Sequence, residues 1–430
     1  MHTFNRVNLF LNKVKYPYSV IKSNAVLWTN YLLIIYAFFL PISKEISNIA
    51  FSFIIFLFVI DGNFKDKVLF ILEDKVVVAI LLFVLMHILW LFGTDDFSYA
   101  SNKLSFMKYF VSIILFVTMI KKEFIIKIIS AFMLAMFFSE ICSYLIFFNI
   151  IEPFNNATRL NPVPFMLNHG FYATFLSLSL GILLFNLFKR QISNHLIRFI
   201  ILIFSVTITI NIFIISSRLG YILFSAVLFS MIIIFFKEYL IRVIFVTIVI
   251  SSLSYSIAYQ NITNFKTRIN QALSDIYTIK NNQNYTTSTG IRYGFHIFSL
   301  NIFKDNQLFG VGTGDHINYI KKQIKDSPYL TPKNMLNILN QGKGSTLHSD
   351  YLDIFVQFGL VGLLIFMNIF YQILKYRQNN FYFKSLQILV IVVFLINAIS
   401  QGMIYFSVLN KVFILFIALT LCLYQDKKTC

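Results

Sequence analysis

The sequence predicts an all-α integral membrane protein, and three observations predict it. First, the 430-residue chain is 58% hydrophobic, 18% aromatic and only 13% charged, with a mean hydropathy of +0.74. No soluble domain of that length hides so much apolar surface, so most of it must face lipid or other spans. Second, the apolar residues fall in runs of roughly 16 to 25, near the ~20 that a helix needs to cross a hydrocarbon core. Third, the basic residues between those runs alternate between a rich side and a poor side.

Twelve spans are expected, near 27–42, 45–60, 75–93, 105–120, 124–148, 170–188, 196–214, 219–236, 241–259, 349–374, 385–404 and 408–424. The first two share a tight turn at Pro41-Ile42-Ser43-Lys44. Lys and Arg number twenty on one side and six on the other, the six being Lys44, Lys103, Lys108, Arg159, Arg218 and Lys411. The positive-inside rule then puts both termini in the cytoplasm. A net charge of +18 would suggest nucleic acid in a soluble chain. Here the bases gather in short loops, and no nucleic-acid partner is expected. The N-terminus carries Arg6, Lys13, Lys15 and Lys22 but no compact apolar core with a cleavage site, so it reads as a cytoplasmic lead. Cys142 and Cys422 lie in apolar runs and Cys430 ends the chain, so no disulfide framework is implied.

Three regions follow: a membrane bundle over 1–259, an outer loop over 260–348 and a membrane segment over 349–430. The loop holds ten basic residues against four acids. That suits a surface for anionic partners such as phosphate-bearing lipids, and equally a solvated loop in a basic protein. From Arg292 to Asp305, Tyr293, Ile297, Leu300 and Phe303 recur at helical spacing, with Phe298 and Ile302 widening the stripe. This predicts an amphipathic helix lying on the outer membrane surface. Gly310-Val311-Gly312-Thr313-Gly314 predicts a tight turn; a phosphate nest is the alternative, without the strand and helix that would support it.

The chemistry concentrates at the seam from Ser345 to Leu352, where His348 stands between the polar loop and an apolar helix. Arg218 follows Ser216 and Ser217 at the outer mouth of the eighth span, and Arg292 opens the amphipathic segment. Each is a candidate anion binder, set against the plain reading of an interfacial snorkelling arginine. Arg159, in the loop with Asn161, Pro162 and Pro164, is a third. Glu140 lies inside the fifth span, where an ionisable group costs a few kcal/mol and is functional by default, as a partner for one of the arginines. His169, His296, His316 and Asp315 show no metal-ligand spacing, and His87 and His195 read as a core and a cytoplasmic surface residue. Asp350 and Asp353 lie about 200° and 140° around a helix from His348, so neither shares its face. Gly359 and Gly362 do share a face and suit the close approach of a neighbouring helix.

His348-Ser349, nine residues, then Gly359-x-x-Gly362 resembles the His-[Asn/Ser/Gln]-x9-Gly-x-x-Gly pattern of bacterial O-antigen ligases. Ser216-Ser217-Arg218, Arg292 and the Gly310-x-Gly312-x-Gly314 turn look like the same family, as does the layout of twelve spans with one large loop before the tenth. The wider group includes O-antigen polymerases and protein O-oligosaccharyltransferases, which these motifs separate poorly. The aromatic residue often found four places after the second arginine is His296 here. The resemblance implies a GT-C-like helical glycosyltransferase of the bacterial inner membrane, working on the periplasmic side among membrane lipids. Its donor would be a glycan linked to undecaprenyl diphosphate and its acceptor a sugar hydroxyl of lipid A–core, joined with inversion. His348 would be the general base, and Arg218 and Arg292 would hold the diphosphate; the residues themselves add Arg159 as a further candidate binder of substrate and Glu140 as a partner for one of the arginines. No metal or other cofactor is implied. Elementary chemistry agrees: an imidazole with an ordinary pKa of about 6.5 accepts a proton at neutral pH. Arginine stays charged and grips phosphate with two donors. A lipid-linked glycan transporter also fits twelve spans, but no repeat relates the halves and charges deep within spans are few.

Overall fold

Each of the twelve apolar runs forms helix in the computed structural model, which describes residues 2–427 except 156, 166–167, 190–193, 283–284, 327–332, 341–345 and 422. Ser345, Cys422 and Cys430 therefore lie outside the described residues. In chain order the helices are α1 (His2–Phe39), α2 (Lys44–Asp61), α3 (Phe64–Glu73), α4 (Lys75–Leu89), α5 (Phe97–Val111), α6 (Ile113–Met119) and α7 (Ile125–Phe147). Then come α8 (His169–Phe188), α9 (His195–Ile214), α10 (Arg218–Phe236), α11 (Leu240–Asn261), α12 (Thr263–Asn282), α13 (Ser288–Asp305), α14 (His316–Lys325) and α15 (Lys333–Leu339). The chain closes with α16 (Asp350–Lys375), α17 (Phe381–Ser400), α18 (Ser407–Ala418) and α19 (Tyr424–Lys427). Among the described residues there is no strand, only an isolated bridge between Thr158 and Asn161. The protein is an all-α, multi-pass membrane protein.

Short polar residues set many of the boundaries. Ser43, Asp74, Asp96, Asn168, Asn194 and Asn380 each precede a helix and accept backbone N–H groups of its first turn through a side-chain oxygen. Among the described residues, nine helical stretches are long and apolar enough to cross a membrane. They become ten if α2 and α3, bent by 110° at their junction, count as one span. Two of the twelve expected spans fall short for visible reasons. In α1, Thr29 and Asn30 interrupt the apolar half, and Asn30 reaches across to accept from Lys121 N at 3.0 Å and donate to Met119 O at 2.9 Å. The last expected span, 408–424, is corrected: α18 stops at Ala418. Its 12 residues rise about 18 Å, against a hydrocarbon core of about 30 Å.

The chain ends of the helices segregate to two poles. At one, Gln378 donates to Thr420 O and Gln425 to Thr118 O. At the other, Asn264 donates to Leu160 O and Ile214 O, Trp90 to Phe309 O, and Arg292 to Ser400 O.

The segment between α11 and α16 is more built than a helix lying on a surface. Its helices enclose a second core in which Phe295, Phe298, Ile302, Ile317 and Ile320 meet Leu352 and Val356 of α16. α13 forms where the spacing predicts: Phe295, Phe298 and Ile302 are buried in this core, whereas Tyr293 and Leu300 are 48% and 51% exposed. Two apolar stripes share this helix, and the second core selects the one that the period alone ranks lower.

That core is clasped to the bundle where α16 breaks. Gly359 has φ 63° and ψ −156°, so the helical ladder is interrupted there. The amides that lose their partners, Leu360 and Val361, donate to Gln307 O and Leu308 O at 2.9 and 3.2 Å. The carbonyls of Val356 and Gln357 accept from Val311 N and Gly312 N, each at 3.0 Å. Gly314 N donates to the Gln357 side chain at 2.9 Å. A Cβ on Gly359 would collide with the Leu308 carbonyl, and one on Gly310 with the Gln357 carbonyl. The neighbour admitted by Gly359 is therefore a backbone turn, not the helix expected. With three of its amides engaged here, the 310–314 turn is a docking element and not a phosphate nest.

Replacing Gly359 with Ala adds both a disfavoured left-handed φ and a backbone collision, and should cost about 2 kcal/mol or more. Gly93→Ala, whose Cβ would meet nothing within 4 Å, should be neutral. Thermal unfolding in detergent checks this; equal midpoints for the two variants would remove the clasp from the account.

Candidate active site

Three helices deliver arginines to one place. α10 begins at Arg218, whose guanidinium donates to Asp275 Oδ2 of α12 at 3.3 and 3.4 Å and to the Thr289 hydroxyl of α13. Thr289 in turn donates to Asp275 at 2.7 Å, closing a three-residue ring. One turn along α13, Arg292 donates from Nε to Ser400 O at 3.2 Å and from a terminal nitrogen to Ser288 O at 3.3 Å. Arg268 of α12 completes the set. Together Arg218, Arg268 and Arg292 line a cavity of about 450 Å³ with His169, Ser216, Ser217, Thr289, Ser400 and Gln401.

The balance of charge in this cavity is lopsided. Among the described residues, the ion pair of Arg218 with Asp275 is the only one an arginine makes, so Arg268 and Arg292 face the cavity without a carboxylate partner. Burial, and then the neighbouring Arg218 charge, pull the Arg292 pKa down from its ordinary value. An anion entering here relieves repulsion as well as accepting hydrogen bonds. The cavity also has an apolar flank: Leu219, Ala272, Ile222 and Ile276 line it, the last two 57% and 56% exposed. Cationic and apolar surfaces thus stand side by side in one cavity.

His348 stands beside this cavity and not among the residues that line it. Its backbone is left-handed, φ 56°, a conformation costing a non-glycine residue roughly 1–2 kcal/mol. Its neighbours hold it there. Leu347 N donates to both Asp353 oxygens at 3.3 Å, His348 N to Thr346 Oγ1 at 3.3 Å, and Ser349 Oγ to Ala398 O at 3.3 Å. Ala398 and Ser400 share the last turn of α17, so one helix end anchors both the His348 segment and Arg292. Burial, then the Arg292 charge, lower the His348 pKa to about 4 against the opposing pull of Asp353. The imidazole is neutral at pH 7, and its buried Nδ1 has no hydrogen-bond partner.

Among the described residues, neither Asp350 nor Asp353 hydrogen-bonds the His348 imidazole, and the helical angles expected from the sequence do not apply, because His348 precedes α16 with a left-handed backbone. Asp350 accepts from Met403 N at 2.6 Å and Ile404 N at 3.1 Å. Asp353 accepts from His316 Nε2 at 2.9 Å. Chiefly through burial, the His316 pKa falls to about 4. Asp315 caps a different turn, accepting from Asp95 N and Asp96 N. His87 is a core residue, between Phe83 O and the Tyr405 hydroxyl.

Two candidates do not join the cavity. Arg159 is exposed on a turn whose next residues bind Ser216 through Leu160 O and the Asn161 side chain, which places it near the rim. Glu140 is corrected: among the described residues it pairs with no arginine, and it lies buried in α7 near Tyr144, Tyr172 and Thr207. It sits seven residues before the end of α7, about 10 Å down the helix, whereas Arg218 opens α10. Sequence reasoning missed Arg268, Asp275 and Thr289. The signal was present in α12, where Arg268, Ala272 and Asp275 recur at helical spacing on one face. A second cavity, of about 530 Å³ at the opposite pole, mixes Glu73 and Asp74 with Lys75, Lys375 and Arg377 and holds no motif residue.

Comparison with known proteins agrees with the resemblance. Residues 200–367 match the family model described as O-antigen ligase. That stretch contains Arg218, Arg268, Arg292, His348, Gly359 and Gly362, and excludes Glu140 and Arg159. An uncharacterized protein of Haemophilus influenzae is 35% identical over 132 residues, covering 29% of this chain and 31% of that protein. The match thus spans about a third of that relative's length.

If Arg292 depresses the His348 pKa, Arg292→Gln should raise it from about 4 toward, but not to, 6.5, because burial remains the larger cause. Histidine ring-proton NMR titration of the two proteins measures this; an unchanged midpoint would disconnect the pair.

Proposed function

We propose that the protein is a glycosyltransferase of the O-antigen ligase type, moving a glycan from a lipid-linked diphosphate to a hydroxyl. The convergence of Arg218, Arg268 and Arg292 on one cavity, with neutral His348 beside it, carries this reading. The donor is undecaprenyl-diphosphate-linked O-polysaccharide, whose tail fits the flank at Ile222 and Ile276 and whose diphosphate meets the arginines. The acceptor is a sugar hydroxyl of lipid A–core. The distribution of basic residues supports placing this pole in the periplasm, both termini in the cytoplasm and the protein in the inner membrane.

In the reaction, the acceptor oxygen attacks the anomeric carbon as His348 takes its proton. The bond from that carbon to the diphosphate oxygen breaks, and the electron pair leaves with the diphosphate. Attack from the opposite face inverts the anomeric centre. The arginines stabilise the departing charge in a site of low dielectric, where such donors act most strongly. Arg159 at the rim supplies further cationic character to an arriving glycan. The left-handed backbone at His348, with its cost, is of the kind retained where a side chain must be aimed.

His348→Ala should lower transfer by about 10²–10⁴-fold, the usual contribution of a general base, while membrane protein levels stay normal. Full activity in that variant would end the mechanism. Because the base must be neutral, the wild-type rate should hold down to about pH 5 and fall as pH drops through about 4. In cells lacking the gene, long polymer on the carrier lipid with bare core in the outer membrane is the ligase outcome. Core capped by one repeat would make the enzyme a polymerase, and single repeats held at the cytoplasmic face would make it a transporter.

A further inference from the structure

Three lysines from three separate helices meet on the other side of the His348 seam. Lys411, in the first turns of α18, is buried, and its Nζ donates to Asn48 Oδ1 at 2.6 Å and Ser47 Oγ at 3.3 Å. Lys44, which opens α2, and Lys108 of α5 are exposed and lie within Coulombic reach of Lys411. The rings of Tyr36 and Tyr109 flank the buried ammonium at 6.0 and 5.4 Å, and Lys108 lies 5.2 Å from the Tyr109 ring. Tyr109 also bonds Ser407, the first residue of α18.

This grouping runs against ordinary placement. The short loops of this pole hold six bases against twenty opposite, and three of the six converge here from distant positions in the chain. A buried cation normally has a carboxylate partner. Among the described residues no carboxylate pairs with Lys411, and the acid within its reach, Glu45, is exposed and held by Ser43 Oγ at 3.0 Å. Two helix N-termini, those of α2 and α18, add partial positive charge at the same point.

The position relative to the arginine cavity follows from the link between α17 and α18. Ser400 and Gln401 line the cavity, Met403 and Ile404 bind Asp350 beside the His348 segment, and Ser407 and Lys411 belong to the lysine group. A single short stretch thus runs from one cationic site, past the histidine, to a second. We infer that Lys44, Lys108 and Lys411 form a binding site for the phosphate monoester of an anionic glycolipid, which approaches His348 from the flank opposite the donor. The role as acceptor rests on the proposed function; the binding site does not.

The test uses the full-length protein in nanodiscs of zwitterionic lipid, with fluorescence-detected affinity for diphosphoryl lipid A, enzymatically dephosphorylated lipid A and inorganic phosphate. Lys44→Gln with Lys108→Gln, both at exposed positions, should weaken diphosphoryl lipid A by roughly tenfold or more, the loss of two charge-assisted contacts. The dephosphorylated form should bind the wild type as weakly as the double variant. Arg292→Gln, in the donor cavity, should leave lipid A affinity unchanged. An unchanged affinity in the double variant overturns the inference, and so does inorganic phosphate binding as tightly as the lipid. Loss of lipid binding in the double variant, alongside a wild type with no transferase activity, supports the site while sinking the transferase reading.

Discussion

The structure depends on a backbone-to-backbone contact between two glycine-bearing segments. α16 gives up its own helical bonds at Gly359, and the 307–312 turn supplies the replacements. Only glycine at both Gly310 and Gly359 lets the two backbones come this close. The outer half of α16 thereby becomes a wall common to two cores, with Leu352 and Val356 facing the outer helices and Ile354 and Phe358 facing the bundle. His348 leads into that half, and α13, which carries Arg292, packs against the same helix. The aim of the histidine relative to the arginines is thus set by packing on both sides of one element.

The way each arginine is held differs, and the difference is functional in kind. Arg218 is oriented by a carboxylate, Asp275, which fixes its direction but offsets part of its charge. Arg292 is oriented by the carbonyls of Ser400 and Ser288, neutral acceptors that fix direction and leave the charge intact. A site meant to receive an anion gains from the second arrangement, since its donors are in place before the charge arrives. Burial is the main reason that the His348 pKa is low, and the same uncancelled charge lowers it further.

Much of this was legible in the sequence, because the membrane imposes strong rules on composition. Every apolar run is helical, Arg218 opens α10 and Arg292 lies in the first turns of α13, as the polar-to-apolar transitions predict. What escaped depends on contacts between distant residues. The burial of Phe295, Phe298 and Ile302 on α13 depends on the outer core, which the period shared with Tyr293 and Leu300 does not reveal. Arg268 carries no motif and is recognisable only once α12 stands beside α13. Buried Lys103 and Lys411 looked like loop residues, and become buried only when α5 and α18 close around Tyr405 and Tyr109. Glu140 erred the other way: its rarity within a span suggested a partner that its depth does not allow.

The anchoring of Arg292 by Ser400 has a bearing on biogenesis. A chain is made and inserted from its N-terminus, and early segments settle first. Arg218, Arg268 and Arg292 are all in place well before α17 emerges, but the carbonyl that orients Arg292, and the Ala398 carbonyl that ties down the His348 segment, belong to the last turn of that helix. The cationic surface is assembled first and the reactive geometry nearly last. A chain arrested short of α17 would carry all three arginines but neither of the carbonyls that orient Arg292 and the His348 segment, so the order of synthesis separates the placing of the charges from the fixing of their direction.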